Sequence, residues 1–285
     1  MSKMQQQRFE LKYRVSEEKA RCIREFVRGY LELDEFGVGQ PDFSYPTLSL
    51  YLDSDDLETY WNTIGGHKNR FKLRLRYYDD SPGSPVFFEI KRRMNEIILK
   101  TRGGVRKDAV RALLAGEFPG PEHLLRPEDG RQLVAVQKFC RLMSEIQARP
   151  RMHIAYLREA YENPGNNAVR LTFDRRVESA PNPNSRLIAR ADQAHSVFGP
   201  TVILELKFTN RYPNWFQDLV EIFDLSQTGA AKYAAGIFDR GVEWVDRVPE
   251  ALRHEHLVEE YLSATDYPDL FEKVRHTVSG QAAGV

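Results

Sequence analysis

Basic residues recur at every second position in three short stretches of the chain. They are Lys72, Arg74 and Arg76 in FKLRLRYY, Lys91 and Arg93 behind Glu89 in FFEIKRR, and Lys207 behind Glu205 in VILELKF. A β-strand points alternate side chains to the same face, so each stretch reads as a strand with one charged and one apolar face. Leu73 and Leu75, Phe88 and Ile90, and Leu204, Leu206 and Phe208 fill the apolar faces and read as core. A shared surface of Lys and Arg repels itself and is costly to desolvate, so it calls for polyanions to neutralise it. Phosphate chains meet that need.

Composition alone conceals this pattern. Lys plus Arg and Asp plus Glu number 41 each in 285 residues, so net charge predicts neither a nucleic-acid coat nor attraction to a membrane surface. A hydrophobic share of 41% supports a substantial core in one large domain or two small ones. Cys22 and Cys140 lie far apart and outside any CxxC pattern, which argues against a disulfide framework or a zinc site and agrees with a reducing cytoplasm. The opening MSKMQQQRFELKYR has no apolar h-region, and no stretch approaches the roughly 20 apolar residues of a membrane span. The expectation is a soluble cytoplasmic protein without membrane insertion.

Along the chain, FELKYRV alternates again, with Glu10, Lys12 and Arg14 on one face, and breaks at Ser16. Ser16, Glu17 and Glu18 predict a helix start, and Ala20, Ile23, Phe26, Val27 and Tyr30 its apolar face. TLSLYLD predicts a strand, 53–63 a helix closed by Gly65 and Gly66, and 71–78 and 86–93 two strands joined by DDSPGSP, with 97–102 as a further candidate strand. Residues 107–147 predict an inserted helical pair whose clearest face is Leu133, Val136, Phe139, Cys140, Met143 and Ile146. MHIAYLREAY and AVRLTFDRRV return to strand text, the latter with Arg170, Thr172 and Asp174 on one face. After VILELKF, the segment NRYPNWFQDLVEIFDLSQTG predicts a helix with Trp215, Leu219, Ile222 and Phe223 inward. The division expected is 1–245 as one domain and 246–285 as a polar, partly helical tail. Many two-faced antiparallel strands interleaved with helices favour a closed barrel, an α+β fold whose charged face lines a channel.

FELKYRV, the Lys-x-Arg-x-Arg strand, FFEIKRR, ILELKF and the late AKYAAG, in that order from Arg8 to Gly236, resemble the VTC domain. This is the polyphosphate-polymerase branch of the triphosphate tunnel metalloenzymes and CYTH-like proteins. The resemblance implies an antiparallel β tunnel barrel with flanking helices that binds a triphosphate through basic side chains and a carboxylate-held divalent metal, Mn²⁺ or Mg²⁺. It implies transfer of the γ-phosphoryl of ATP to a growing inorganic polyphosphate chain. On this likeness Lys12, Lys91 and, more loosely, Arg170 are phosphate-binding, Arg74, Arg76 and Lys232 catalytic, and Glu205 the metal ligand; Lys72 and Lys207 join the phosphate-binding set by their strand parity. Two departures stand beside Lys232: Ala231 replaces the usual serine, and Ala230 a common aromatic. The membrane-spanning and regulatory domains of the eukaryotic vacuolar complex are not found in these residues, so export is not expected of them.

Each site has a plainer reading. Arg74 and Arg76 fit a solvated strand face, Lys12 and Lys91 edge-strand lysines, and Lys232 a helix-end cation. Glu205, between Leu204 and Leu206, fits either a hard oxygen ligand or a salt bridge to Lys207. Gly65, Gly66, Gly103 and Gly104 lack a P-loop context and read as turns, and His254-x-His256 has no metal-site partners. Rival functions are a triphosphatase of the same fold and a non-catalytic polyphosphate or inositol-phosphate sensor. Nucleic-acid binding is disfavoured, because the basic residues are not interleaved with exposed aromatics.

Overall fold

The computed structural model describes residues 8–95, 97–165, 168–209 and 211–239. The expected tail, with its boundary at 246 and His254-x-His256, lies outside the described residues. Alternation makes a strand of β1 (Arg8–Val15), after which the Ser16 hydroxyl accepts from the Lys19 N–H at 3.1 Å and starts α1 (Glu17–Val27). The two-residue β2 (Glu32–Leu33) and β3 (Tyr45–Asp53) follow. The next helix, α2, covers only Glu58–Ile64, not 53–63, because Leu57 sits in the left-handed region at φ 59°. Asp53 still serves that helix from a distance, accepting from the Thr59 and Tyr60 N–H groups at 2.8 and 3.0 Å.

Strands β4 (Asn69–Tyr77), β5 (Val86–Met94) and β6 (Ile97–Val105) form a meander, then α3 (Val110–Leu114) and α4 (Gly130–Glu145) supply the expected helical insertion. Gly103 and Gly104 are strand residues of β6, not turns. A Cβ on Gly103 would stand 2.5 Å from Val136 Cγ2 and 2.8 Å from the Gln132 carbonyl of α4, so glycine there admits the helix. The long strands β7 (Arg149–Glu162) and β8 (Val169–Pro181), the short β9 (His195–Ser196) and β10 (Val202–Thr209) complete the sheet. Last come α5 (Asn214–Ile222) and α6 (Lys232–Asp239).

All pairings are antiparallel and run β7–β3–β4–β5–β6–β1–β10–β8, with β8 pairing back onto β7. Closure is incomplete at one junction: β6 and β1 share the single pair Arg8↔Ile98. The expected sealed barrel is therefore a ring of strands with one thin seam. The leucines face outward. Leu73, Leu75, Phe88 and Ile90 pack beneath Val136 and Phe139 of α4, while Leu171, Phe173, Leu204 and Leu206 pack beneath α1 and α5. In α5, Phe216 and Leu219 are buried, but Ile222 at the last turn is 63% exposed, against expectation. A third cluster lies on the inner side of one end, where Tyr51, Ile154, Tyr156 and Ile203 meet α2 and α6. Among the described residues no helix is long and apolar enough to cross a membrane.

Candidate functional site: a cation-lined tunnel

Strand parity sends the other face of the ring inward. There Lys12, Lys72, Arg74, Arg76, Lys91, Lys100, Arg102, Arg158, Lys207 and Lys232 share the interior with the carboxylates of Glu10, Glu89, Asp174 and Glu205. The cations outnumber the acids, and the acids are distributed so that each gathers several cations.

The densest knot surrounds Glu205. Its oxygens lie 2.5 Å from Lys207 Nζ, 2.9 Å from Lys232 Nζ, 3.4 Å from Arg158 Nη2 and 3.8 Å from Lys12 Nζ. Burial alone would push this carboxyl up, but Lys207, Lys232, Lys12 and Arg158 hold it well below the ordinary carboxylate range. Asp174 is joined to the knot by a two-pronged contact with Arg158 at 2.7 and 2.8 Å and by Lys232 at 2.6 Å. Lys232 opens α6, and a cation at a helix N-terminus opposes the dipole. The helix-end reading thus fails: the ammonium is turned inward and only 9% exposed, and although burial disfavours its charge, Asp174 and Glu205 raise its pKa. On the near side, Glu10 accepts from both Lys12 and Lys91 at 3.1 Å, the latter contact reaching across the thin seam from β5 to β1.

A second knot surrounds Glu89, 1% exposed, where Arg74 approaches to 2.7 Å, Lys100 to 2.6 Å and Arg102 to 3.4 Å. Arg74 also donates to the Tyr51 hydroxyl at 3.1 Å. Burial disfavours the Tyr51 phenolate, yet Arg74 and Arg76 outweigh it and lower this phenol.

Arg76 and Lys72 differ from these. Arg76 is 5% exposed and donates only to neutral hydroxyls, Ser49 Oγ and Tyr156 Oη, both at 3.1 Å. Lys72 forms no ion pair recorded among the described residues and lies 5.9 Å from the Tyr233 ring. Burial first, and then repulsion from Lys12, Lys91 and Arg70, lowers its pKa to about 7. A buried guanidinium without a close counter-ion is costly, and both side chains project from the inner face of one strand, β4.

All nine sequence-assigned residues lie on the interior side, Arg170 directly across from Lys207 in register. Arg170 is the exception in role, because its donors go to Asp34 at 2.7 Å and Glu162 at 3.1 Å, which leaves it clamped by acids. Arg158, Lys100, Arg102 and Tyr156 were not anticipated. Their signals, Tyr-x-Arg in AYLRE and Lys-x-Arg in ILKTRGG, have the same two-residue spacing as the others. As for Glu205, salt-bridging to Lys207 is the arrangement present. Among the described residues no three His, Cys, Asp or Glu side chains converge as a protein cage for a metal. Glu205 and Glu10 are both contacted by Lys12, and each is already neutralised by the cations around it, so a divalent cation at Glu205 would have to displace lysines.

Residues 7–238 match the VTC domain, most of the chain. The chain belongs to the VTC domain family. It is similar to vacuolar transporter chaperone complex subunit 4 of Schizosaccharomyces pombe, 25% identical over 204 residues that make up 60% of this chain and 28% of that protein. It is also similar to subunit 2 of the same complex, 24% identical over 135 residues, 44% of this chain and 18% of that protein. This VTC-domain chain thus spans less than a third of the curated relatives it matches. Among solved structures it resembles a protein of Pyrococcus horikoshii OT3, TM-score 0.43 at 13% identity, covering 82% of this chain and 99% of that one. It also resembles a Hippeastrum protein described by its dominant triphosphatase activity, TM-score 0.44 at 13% identity, covering 83% and 96%.

Proposed function

We propose that this VTC domain is a cytoplasmic polyphosphate polymerase, which binds a nucleoside triphosphate in its cationic interior and transfers the γ-phosphoryl to an inorganic polyphosphate chain. The observation that carries this is the inner face of β4, where Lys72 and the buried Arg76 flank Arg74 and neither stands within ion-pair distance of a carboxylate among the described residues, in a family member whose relatives belong to a vacuolar transporter chaperone complex. A terminal oxygen of the acceptor chain attacks the γ-phosphorus, the bond to the β–γ bridging oxygen breaks, and the nucleoside diphosphate leaves with that oxygen. Such a reaction asks the protein to hold reactants in line and to offset charge on the equatorial oxygens.

Arg74 and Arg76 offer planar forks to phosphate oxygens, and Lys72, Lys91 and Lys232 act as point charges. Lys232 moves its ammonium from Asp174 and Glu205 toward the transferring group as negative charge accumulates there. A divalent cation, Mn²⁺ or Mg²⁺, would be held by Glu205 and would supply further charge neutralisation. A second reading, triphosphate hydrolysis with water as acceptor, is favoured by the apolar cover that α2 and α6 place over one end of the interior, since a short product needs only one exit.

Incubation of purified protein with ATP and Mn²⁺, followed by gel separation of products, tests the proposal. Long chains support the polymerase, free phosphate alone supports the triphosphatase, and no product in either form contradicts both.

A further inference from the structure

Lys232 must leave two carboxylates to meet a phosphate, so something other than those carboxylates has to keep its helix in place. The neighbouring side chain does this. Successive helix residues project about 100° apart, so Lys232 points toward Asp174 and Glu205 while Tyr233 points to another part of the inner wall, against Tyr51. The Tyr233 hydroxyl donates to Asp53 Oδ2 at 2.7 Å, and its ring stacks on Tyr51 with centroids 4.9 Å apart and planes 15° from parallel. Asp53 is fully buried and has no ion pair recorded among the described residues. Its carboxylate instead collects the Ser54, Thr59 and Tyr60 N–H groups at 2.9, 2.8 and 3.0 Å and the Thr59 hydroxyl at 2.8 Å, besides Tyr233. Those donors make Asp53 a rigid post at the end of β3. Along the axis, α6 is seated by Gly236, where a Cβ would come within 2.8 Å of Ser179 Cβ and 3.0 Å of Ile154 Cδ1.

We propose that Asp53 and Tyr233 are positioning residues that act through Lys232. Asp53 fixes the rotation of α6 by way of the Tyr233 hydroxyl, so that a bound phosphate draws the Lys232 ammonium across without dragging the helix. The same stack touches the other side of the site, since Tyr51 accepts from Arg74 at 3.1 Å. The Tyr233 hydroxyl is spent on Asp53, while its ring lies 5.9 Å from Lys72 Nζ. This inference rests on the phosphoryl-transfer reading for its effect on turnover, but not for its effect on Lys232 itself.

The test compares the full chain with Tyr233→Phe, Lys232→Ala and the double variant; Tyr233→Phe keeps the ring stack, and Asp53→Asn provides a second way to weaken the same bond. Tyr233→Phe is expected to lower turnover about tenfold, the equivalent of one hydrogen bond to a charged group, with tripolyphosphate affinity changed by less than about threefold. In the Lys232→Ala background it is expected to add nothing, because the residue it positions is gone. Acetylation of Lys232 by acetic anhydride, followed by peptide mass spectrometry, is expected to quicken about tenfold in Tyr233→Phe as the same bond is lost. A full additional loss in the double variant, or an unchanged acetylation rate, would overturn the anchor. Should the parent protein show no turnover at all, the functional reading fails alone, and the acetylation rate still decides the anchor.

Discussion

Arg74 and Arg76 stand two residues apart on one strand face and carry the same charge, yet removing them should have opposite costs. Arg74 satisfies Glu89, a carboxylate 1% exposed, so Arg74→Ala strips a partner from a buried acid and is expected to destabilise by about 1–3 kcal/mol, with Lys100 and Arg102 limiting the loss. Arg76→Met removes a buried cation held only by hydroxyls, so thermal stability should stay level or rise, while turnover falls about a hundredfold if it stabilises transferring charge. Thermal melts and product assays on both variants separate the two roles. Lys72 gives a proton signature. With its pKa lowered to about 7, it is largely neutral at pH 8 and must be recharged to meet an anion. Tripolyphosphate binding at that pH is therefore expected to take up close to one proton, measurable by calorimetry in buffers of different ionisation enthalpy. The uptake should vanish in Lys72→Met, and an unchanged uptake would remove Lys72 from the site. The linkage to folding has a definite sign: the unfolded chain holds this proton up to the ordinary lysine range and the folded chain does not, so stability from Lys72 rises as pH climbs above about 7. Glu205 has the same sign in the acid range. Its pKa is depressed, so the stability it contributes is complete above the ordinary carboxylate range and is lost as pH falls below it; Glu205→Gln should flatten that acid limb.

At the scale of elements, α4 depends on two glycines of β6. Gly103→Ala would drive a methyl against Val136 and the Gln132 backbone, and overpacking of this kind is expected to cost about 1–3 kcal/mol while leaving tripolyphosphate affinity unchanged, because Gly103 faces away from the tunnel. A fall in affinity equal to that of Arg76→Met would show that α4 shapes the interior. Element identity was legible wherever side-chain period and element coincided: FKLRLRYY alternates because β4 has Leu73 and Leu75 under α4 and its arginines inside. It was less legible where an element ends. Ile222 fits the apolar period of α5, but the helix stops there and Phe223 is the cap, so the side chain emerges into solvent. Gly103 and Gly104 read as a turn because a glycine pair carries no record of the helix packed over it. The Asp53 contacts to Thr59 and Tyr60 were anticipated as a helix start, but the left-handed Leu57 that delays α2 has no signal in its own side chain.

For the whole molecule, the site was legible in its parity and illegible in its pairing. Spacing placed Lys12, Arg74, Lys91 and Glu205 on one face, since a period of two marks a face whatever the strand order, whereas Lys232, at the start of α6, was reached only through the family resemblance. Which cation meets which acid depends on register between strands distant in sequence, so the convergence of Lys12, Arg158, Lys207 and Lys232 on Glu205 could not be read from spacing, nor the detention of Arg170 by Asp34 and Glu162. The same long-range pairing leaves Arg76 and Lys72 without a close ion pair among the described residues: Glu89 and Asp53 act on them only from a distance. The central claim is that this imbalance is a built polyanion site. The most direct measurement is titration of tripolyphosphate into the purified protein at two salt concentrations, alongside the double variant Arg76→Met, Lys72→Met. Because several Lys and Arg contacts exchange with counter-ions, affinity should drop by at least about tenfold between low and moderate salt, and the double variant should lose binding while melting no lower than the parent. Binding that ignores salt, or that survives in the double variant, would contradict it.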